Sequence, residues 1–124
     1  MRRGILAVRM NKPWIHLNEL SLGKIACHLG VYQLANKNYE IVYIGVANAM
    51  TKFGLKGELL SFLNRKQLGA CYFRSEVNMA YKTRYVELLQ VFYYDHKRLP
   101  IGNTDIDPAS LGQLRPSGVD HQKF

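Results

Sequence analysis

Gly30-Val31-Tyr32-Gln33-Leu34-Ala35, then Asn36-Lys37-Asn38-Tyr39, then Glu40-Ile41-Val42-Tyr43-Ile44-Gly45 is the part of the chain from which the rest can be ordered. The outer pieces are rich in β-branched and aromatic residues and read as strands, and the polar piece between them reads as a turn. A two-residue turn pairs Asn36 with Tyr39, and a four-residue loop pairs Ala35 with Glu40. Either connection sets Tyr32 opposite Tyr43, with both side chains on one face of the hairpin. Gly45 closes the second strand and leaves bare backbone that a phosphate or another chain could approach.

The 124 residues suit one domain, and 48% hydrophobic residues are enough to bury a core. No apolar run approaches the ~20 residues of a membrane-spanning helix. Met1-Arg2-Arg3 and the apolar residues after it imitate a signal peptide, but Arg9 interrupts the run and no cleavage site follows. A cytoplasmic protein is expected. Cys27 and Cys71 fit neither a metal-ligand spacing nor a disulfide framework, and read as buried small apolar residues. Lys and Arg number 17 against 9 Asp and Glu, for a net charge of +8. Such a balance favours polyanions: DNA, RNA, an anionic membrane surface or an acidic protein.

Outward from the hairpin, residues 1–13 read as an arm or short edge strand, with Pro13 as a stop. Residues 14–22 read as a short helix or turn starting at Asn18 and covering one end of the sheet. After Gly45 a small-residue connection ends at Gly54. Leu55, Leu59, Phe62 and Leu63 then mark an amphipathic helix over 55–65, with Lys56, Glu58, Ser61 and Arg65 on its other face. Gly69 breaks it, and residues 70–75 read as a third strand. Val77, Tyr81, Arg84/Tyr85, Leu88, Leu89 and Phe92 form one stripe of a long helix over about 76–97, on which Arg84 and Glu87 are i, i+3 neighbours. Leu99-Pro100-Ile101-Gly102-Asn103 is turn chemistry. The expected fold is α+β, in the order β-β-α-β-α, with a three-stranded antiparallel sheet and the helices over one face. Residues 1–29 are an arm with a short helix or turn, 30–103 the domain, and 104–124 a surface tail, extended or partly disordered.

Gly30-Val31-Tyr32, ten intervening residues and Tyr43-Ile44-Gly45 resemble the paired signature of the GIY-YIG nuclease superfamily. That superfamily includes the nuclease module of the bacterial excision-repair incision enzyme, homing endonucleases and some restriction enzymes. Glu87 on the long helix, followed by Pro100 and Asn103, is similar to its metal-holding Glu with a later Pro and Asn. The resemblance covers residues 30–103. It implies an endonuclease that hydrolyses phosphodiesters of DNA or RNA by direct attack of water. It also implies one magnesium or manganese ion on Glu87, polarising the phosphate and stabilising the leaving oxygen. Tyr32 and Tyr43 would orient the water, and one of them would take its proton. Asn103 would bond the phosphate or buttress the site. Gly45, Lys66 and Lys82 would meet the nucleic acid.

One departure stands out. Laid on the family's Leu-x-x-Arg-Leu pattern, Leu55 and Leu59 match the leucines and Glu58 takes the place of the arginine that neutralises phosphate charge. Loss of a preorganised cation of this kind costs about 10²–10³ in rate. Lys56, Arg65 or Arg84 would have to substitute, and a lysine would serve only as a point charge. Plainer roles exist for each residue: cross-strand packing for the tyrosines, an Arg84 pair for Glu87, a turn for Asn103. Tyr93-Tyr94 beside Lys97 suits base stacking or helix-end packing. Three functions remain open: a divalent-metal nuclease, an inactive nucleic-acid-binding module, and an accessory subunit of a larger complex facing an acidic partner.

Overall fold

The structure is a computed structural model that describes residues 9–112. In chain order it contains β1 (Ile15–His16), α1 (Glu19–Leu22), β2 (Gly30–Ala35), β3 (Ile41–Ala47), α2 (Gly54–Arg65), β4 (Tyr72–Val77), α3 (Tyr81–His96) and a 3₁₀ turn (Pro108–Leu111). The fold is α+β. Its one antiparallel sheet has four strands in the order β1-β4-β2-β3, one more than expected. The additional β1 joins Ile15 to Phe73 and His16 to Tyr72. Two residues are too short to show an alternating pattern. α1 starts at Asn18, whose Oδ1 accepts from the Ser21 amide at 2.8 Å.

Helices cover both faces of the sheet rather than one. Tyr32, Leu34 and Phe73 pack against Leu55, Leu59 and Phe62 of α2, together with Leu22. On the opposite face Val31 and Ile44 pack against Leu88, Leu89 and Phe92 of α3, together with Met10. β2 lies between two strands and two helices, so all six of its residues are buried. Consecutive apolar residues at Val31-Tyr32 and Leu34-Ala35 are what a doubly covered strand carries. Met10, placed by the sequence in an arm, is 3% exposed in this second core, while residues 1–8 lie outside the described residues.

The hairpin register differs from the expected one by two residues. Asn36 bonds Glu40 across a loop of residues 37–39, and Tyr39 adopts a left-handed conformation with φ 64°. Asn36 Oδ1 accepts from the Asn38 and Glu40 amides at 2.9 and 3.0 Å, which fixes that turn. Next to it, Leu34 faces Tyr43 while Ala35 faces Ile41, so Val42 is an extra residue in a β-bulge. The loop and the bulge each add one residue. Tyr32 therefore faces Gly45, not Tyr43. A slip of two preserves the face, so the two tyrosines remain diagonal neighbours on the α2 side.

Three further expectations are corrected. α3 begins at Tyr81, not near Glu76, because Glu76 and Val77 continue β4 opposite Val31 and Gly30. Cys27 and Cys71 are exposed. The tail is packed as far as Gly112: Ile106 and Leu111 lie against the second core, and Gln90 Nε2 donates to the Leu111 carbonyl. The remainder of the tail, residues 113–124, lies outside the described residues. Before that tail, the Gly102 amide donates to the Val42 carbonyl at 2.8 Å, so the chain after α3 covers the free edge of β3.

Candidate functional site

The bulged hairpin and α2 build the candidate site between them. Because Gly45 has no side chain, the ring of Tyr32 lies across it, and a Cβ there would stand 2.2 Å from the Tyr32 Cζ. The bare backbone expected to meet substrate at Gly45 is thus covered by the tyrosine. On α2, Leu55 and Leu59 point into the core, and Glu58 sits beside that stripe where it can reach the sheet. The buried Tyr32 hydroxyl donates to Glu58 Oε1 at 2.6 Å, the length expected for a hydroxyl on a carboxylate. Tyr43 stands 6.0 Å from Tyr32 between ring centroids, and Phe62 stacks obliquely on Tyr43 at 4.9 Å. The Arg65 guanidinium lies over Phe62 at 5.1 Å. Beside this group, Tyr43, Phe62, Arg65, Leu68, Gly102 and Thr104 line an open depression of about 480 Å³.

The electrostatics favour neutral phenols. Burial, then the bond to Glu58 and its charge, push the Tyr32 hydroxyl far above the ordinary tyrosine value. Burial, followed by Glu58 and Asp105, raises Tyr43 as well, against the opposing influences of Tyr32 and then Arg65. Tyr85 is pushed up to about 12, chiefly by burial and then by Tyr43 and Asp105, with neighbouring Asn103 opposing the rise. A general base needs a pKa near the working pH, and these shifts run the other way.

Glu87 belongs to the other layer. It accepts from Arg84 Nη1 at 2.8 Å, while Arg84 Nε and Nη2 grip both oxygens of Glu76 at 3.0 and 3.1 Å. Burial would raise the Glu76 carboxyl, but the bonds from Arg84 and Asn78 outweigh it and hold the group below the usual range. Likewise, burial would lower Arg84, and its two carboxylate partners raise it instead. Arg84 is thus engaged between Glu76 and Glu87. A guanidinium in contact with Glu87 opposes a dication at the same carboxylate, so this donor set does not suit magnesium or manganese. Among the described residues, no group of three or more His, Cys, Asp or Glu could hold a metal ion.

Asn103 is 4% exposed and pairs with both backbone groups of Ile44: its Oδ1 accepts from the Ile44 amide at 3.0 Å and its Nδ2 donates to the carbonyl at 2.9 Å. Lys56 is half-buried on α2, and Lys66 and Lys82 are exposed beyond α2 and on the first turn of α3. Tyr93, Tyr94 and Lys97 border a groove of about 500 Å³ closed on its far side by Pro108 and Leu111, with Lys97 Nζ 5.1 Å from the Tyr94 ring. The structure therefore groups Tyr32, Tyr43, Glu58, Phe62 and Arg65, and joins Glu87 to Arg84 and Glu76. Three participants escaped the sequence reading: Phe62 as a ring partner, Tyr85 on Asn103, and Asp105 near Tyr43. Aromatic residues already claimed by core stripes gave no separate signal.

The Tyr32–Glu58 bond is expected to show in a double-mutant cycle. Tyr32→Phe and Glu58→Ala, alone and together, should give a coupling of about 1–2 kcal/mol in urea denaturation. Strict additivity would mean that the two groups do not interact.

The chain is a small basic α+β domain in which the Tyr32 hydroxyl is held by a helix-borne carboxylate while Tyr43 borders an open depression. The chain belongs to the DUF7508 family, described as a domain of unknown function, whose family model matches residues 8–94. That span holds all four strands, Tyr32, Tyr43, Glu58 and Glu87, and stops short of Asn103. No curated protein and no solved structure matches the chain. Among the described residues, no helix is long and apolar enough to cross a membrane.

Proposed function

We propose that this chain is an inactive GIY-YIG-like domain that binds nucleic acid through its cationic surface, in the cytoplasm. The observation that carries the reading is the bond from the Tyr32 hydroxyl to Glu58. By the GIY-YIG resemblance Glu58 stands where a nuclease has a cation for the phosphate, and this bond occupies the phenol that would orient water. The Arg84 contact to Glu87 adds support, since it competes with metal. For binding, the net charge of +8 supplies the attraction, and the Tyr93–Tyr94 groove with Lys97 offers rings on which bases can stack. The nuclease reading retains one point in its favour: Tyr43 and Arg65 border an open depression.

The expected result is sequence-independent binding of fluorescent oligonucleotides that weakens steeply with salt. With roughly four phosphates neutralised, affinity should fall about 10²-fold between 50 and 200 mM salt. Equal affinity at both salts, or no binding at 50 mM, would overturn the reading and leave an accessory subunit with an acidic partner as the better account.

A further inference from the structure

The end of the sheet where β2 begins carries a second feature, separate from the tyrosine cluster. Gly30 faces Ala47 of β3 on one side and Val77 of β4 on the other. The loops that follow β3 and β4 therefore leave the sheet side by side, flanking the start of β2. The second is tied there by the Asn78 amide, which donates to the Leu29 carbonyl at 3.1 Å. Large apolar side chains stand out from both loops and from the end of β4: Met50 at 91% exposure, Phe53 at 63%, Met79 at 78% and Val77 at 56%. Single exposed apolar residues are ordinary, but three on two adjacent loops with a fourth at the end of β4 make a patch.

Neither loop is loosely held. Asn48 Oδ1 accepts from the Met50 amide at 2.8 Å, and Asn78 Oδ1 accepts from the Ala80 amide at 2.8 Å. The methionines are thus presented outward by loops whose backbone is already satisfied. Positive charge surrounds them. Lys52 Nζ lies 5.6 Å from the Phe53 ring, Lys56 is on the first turn of α2, and Lys82 is on the first turn of α3. Of the acidic groups on these elements, Glu87 is held by Arg84 and Glu58 by Tyr32, while Glu76 lies beside the second loop, bonded to Asn78 and neutralised by the two bonds from Arg84.

We infer that this end of the domain docks on an anionic lipid bilayer, with Met50, Phe53, Val77 and Met79 entering the acyl boundary and the three lysines meeting headgroup phosphates. Shape and charge both select this occupant. Met50, Phe53 and Met79 project from the two loops and Val77 from the last position of β4, and none lines the cavities at Tyr43 or Tyr93. A projecting apolar tip needs a soft surface, and a bilayer supplies one without a matching contour. A second copy of the chain would set Lys52, Lys56 and Lys82 against their own kind. Nucleic acid would reward the phosphate contacts and one ring, Phe53, but would leave the aliphatic side chains in water. The inference does not depend on the nucleic-acid reading.

Flotation of the full chain with vesicles tests it, using phosphatidylcholine alone or with about one-third phosphatidylglycerol. Binding is expected on the anionic vesicles and absent from the neutral ones. Phe53→Ser with Met79→Ser should weaken it at least tenfold, with an unchanged circular dichroism spectrum because both positions are exposed. Lys52→Glu, Lys56→Glu and Lys82→Glu together should weaken it about 10²-fold. Failure to bind anionic vesicles, equal binding to neutral ones, or indifference to the Phe53 and Met79 changes would overturn the proposal. So would a Phe53 and Met79 variant that loses oligonucleotide affinity while keeping its vesicle affinity, which would assign the tip to nucleic acid.

Discussion

Alanine at Gly30 is expected to lower the stability of the domain by about 3 kcal/mol, and alanine at Gly45 by about 2 kcal/mol. The two glycines of the paired signature are thereby given structural work. A Cβ at Gly30 would lie 2.1 Å from the Glu76 carbonyl oxygen and 3.0 Å from a Leu55 methyl. The first contact is backbone in the neighbouring strand, so β4 would have to move away from β2. At Gly45 the obstacle is the Tyr32 ring, which can yield only by releasing Glu58 or pressing on Phe62. The smaller effect at Gly45 follows from that difference. Gly69 is the control: a Cβ there meets nothing within 4 Å, and only its φ of 67° resists substitution, at about 1 kcal/mol. Urea midpoints of the three variants measure the order. A Gly30→Ala protein as stable as the parent would mean that β2 and β4 are not paired in this register.

Asn103→Ala is expected to cost about 2–4 kcal/mol. The change removes both bonds to Ile44 and leaves a buried amide and carbonyl at the edge of β3 without partners. Tyr85 loses its neighbour as well. Asn103→Asp should be no milder, since a carboxylate can accept from the Ile44 amide but cannot donate to the Ile44 carbonyl. Hydrogen exchange separates this local loss from a general one: the Ile44 amide should exchange faster at denaturant concentrations that leave β2 protected. Unchanged exchange at Ile44 would show that residues 102–103 do not hold that edge.

The strands of the hairpin were legible from their β-branched and aromatic residues, and the helix at Gly54–Arg65 from apolar residues at helical spacing. The register was not. It depends on Tyr39 adopting a left-handed conformation and on Val42 bulging, and neither residue type announces either event. Coverage of both sheet faces was written in the adjacent apolar pairs of β2 on either side of Gln33, but a run that short is equally a strand with one covered face. In the site, Arg84 and Glu87 are near in sequence, so their pairing could be anticipated. Glu76 could not be joined to them while it was counted as the start of the helix. The resemblance alone set Glu58 in an arginine's place. Its bond to Tyr32 spans 26 positions and depends on how far α2 sits over the sheet, a distance that helical periodicity does not contain.

Incubation of the purified chain with supercoiled plasmid in magnesium or manganese decides whether the cluster of Tyr32, Tyr43 and Glu58 is inactive. The expected gel shows plasmid that stays supercoiled while remaining bound at low salt, identically for the parent and for Glu87→Ala. Nicked plasmid from the parent, lost in Glu87→Ala and in Tyr32→Phe, would contradict the account and restore a working metal site.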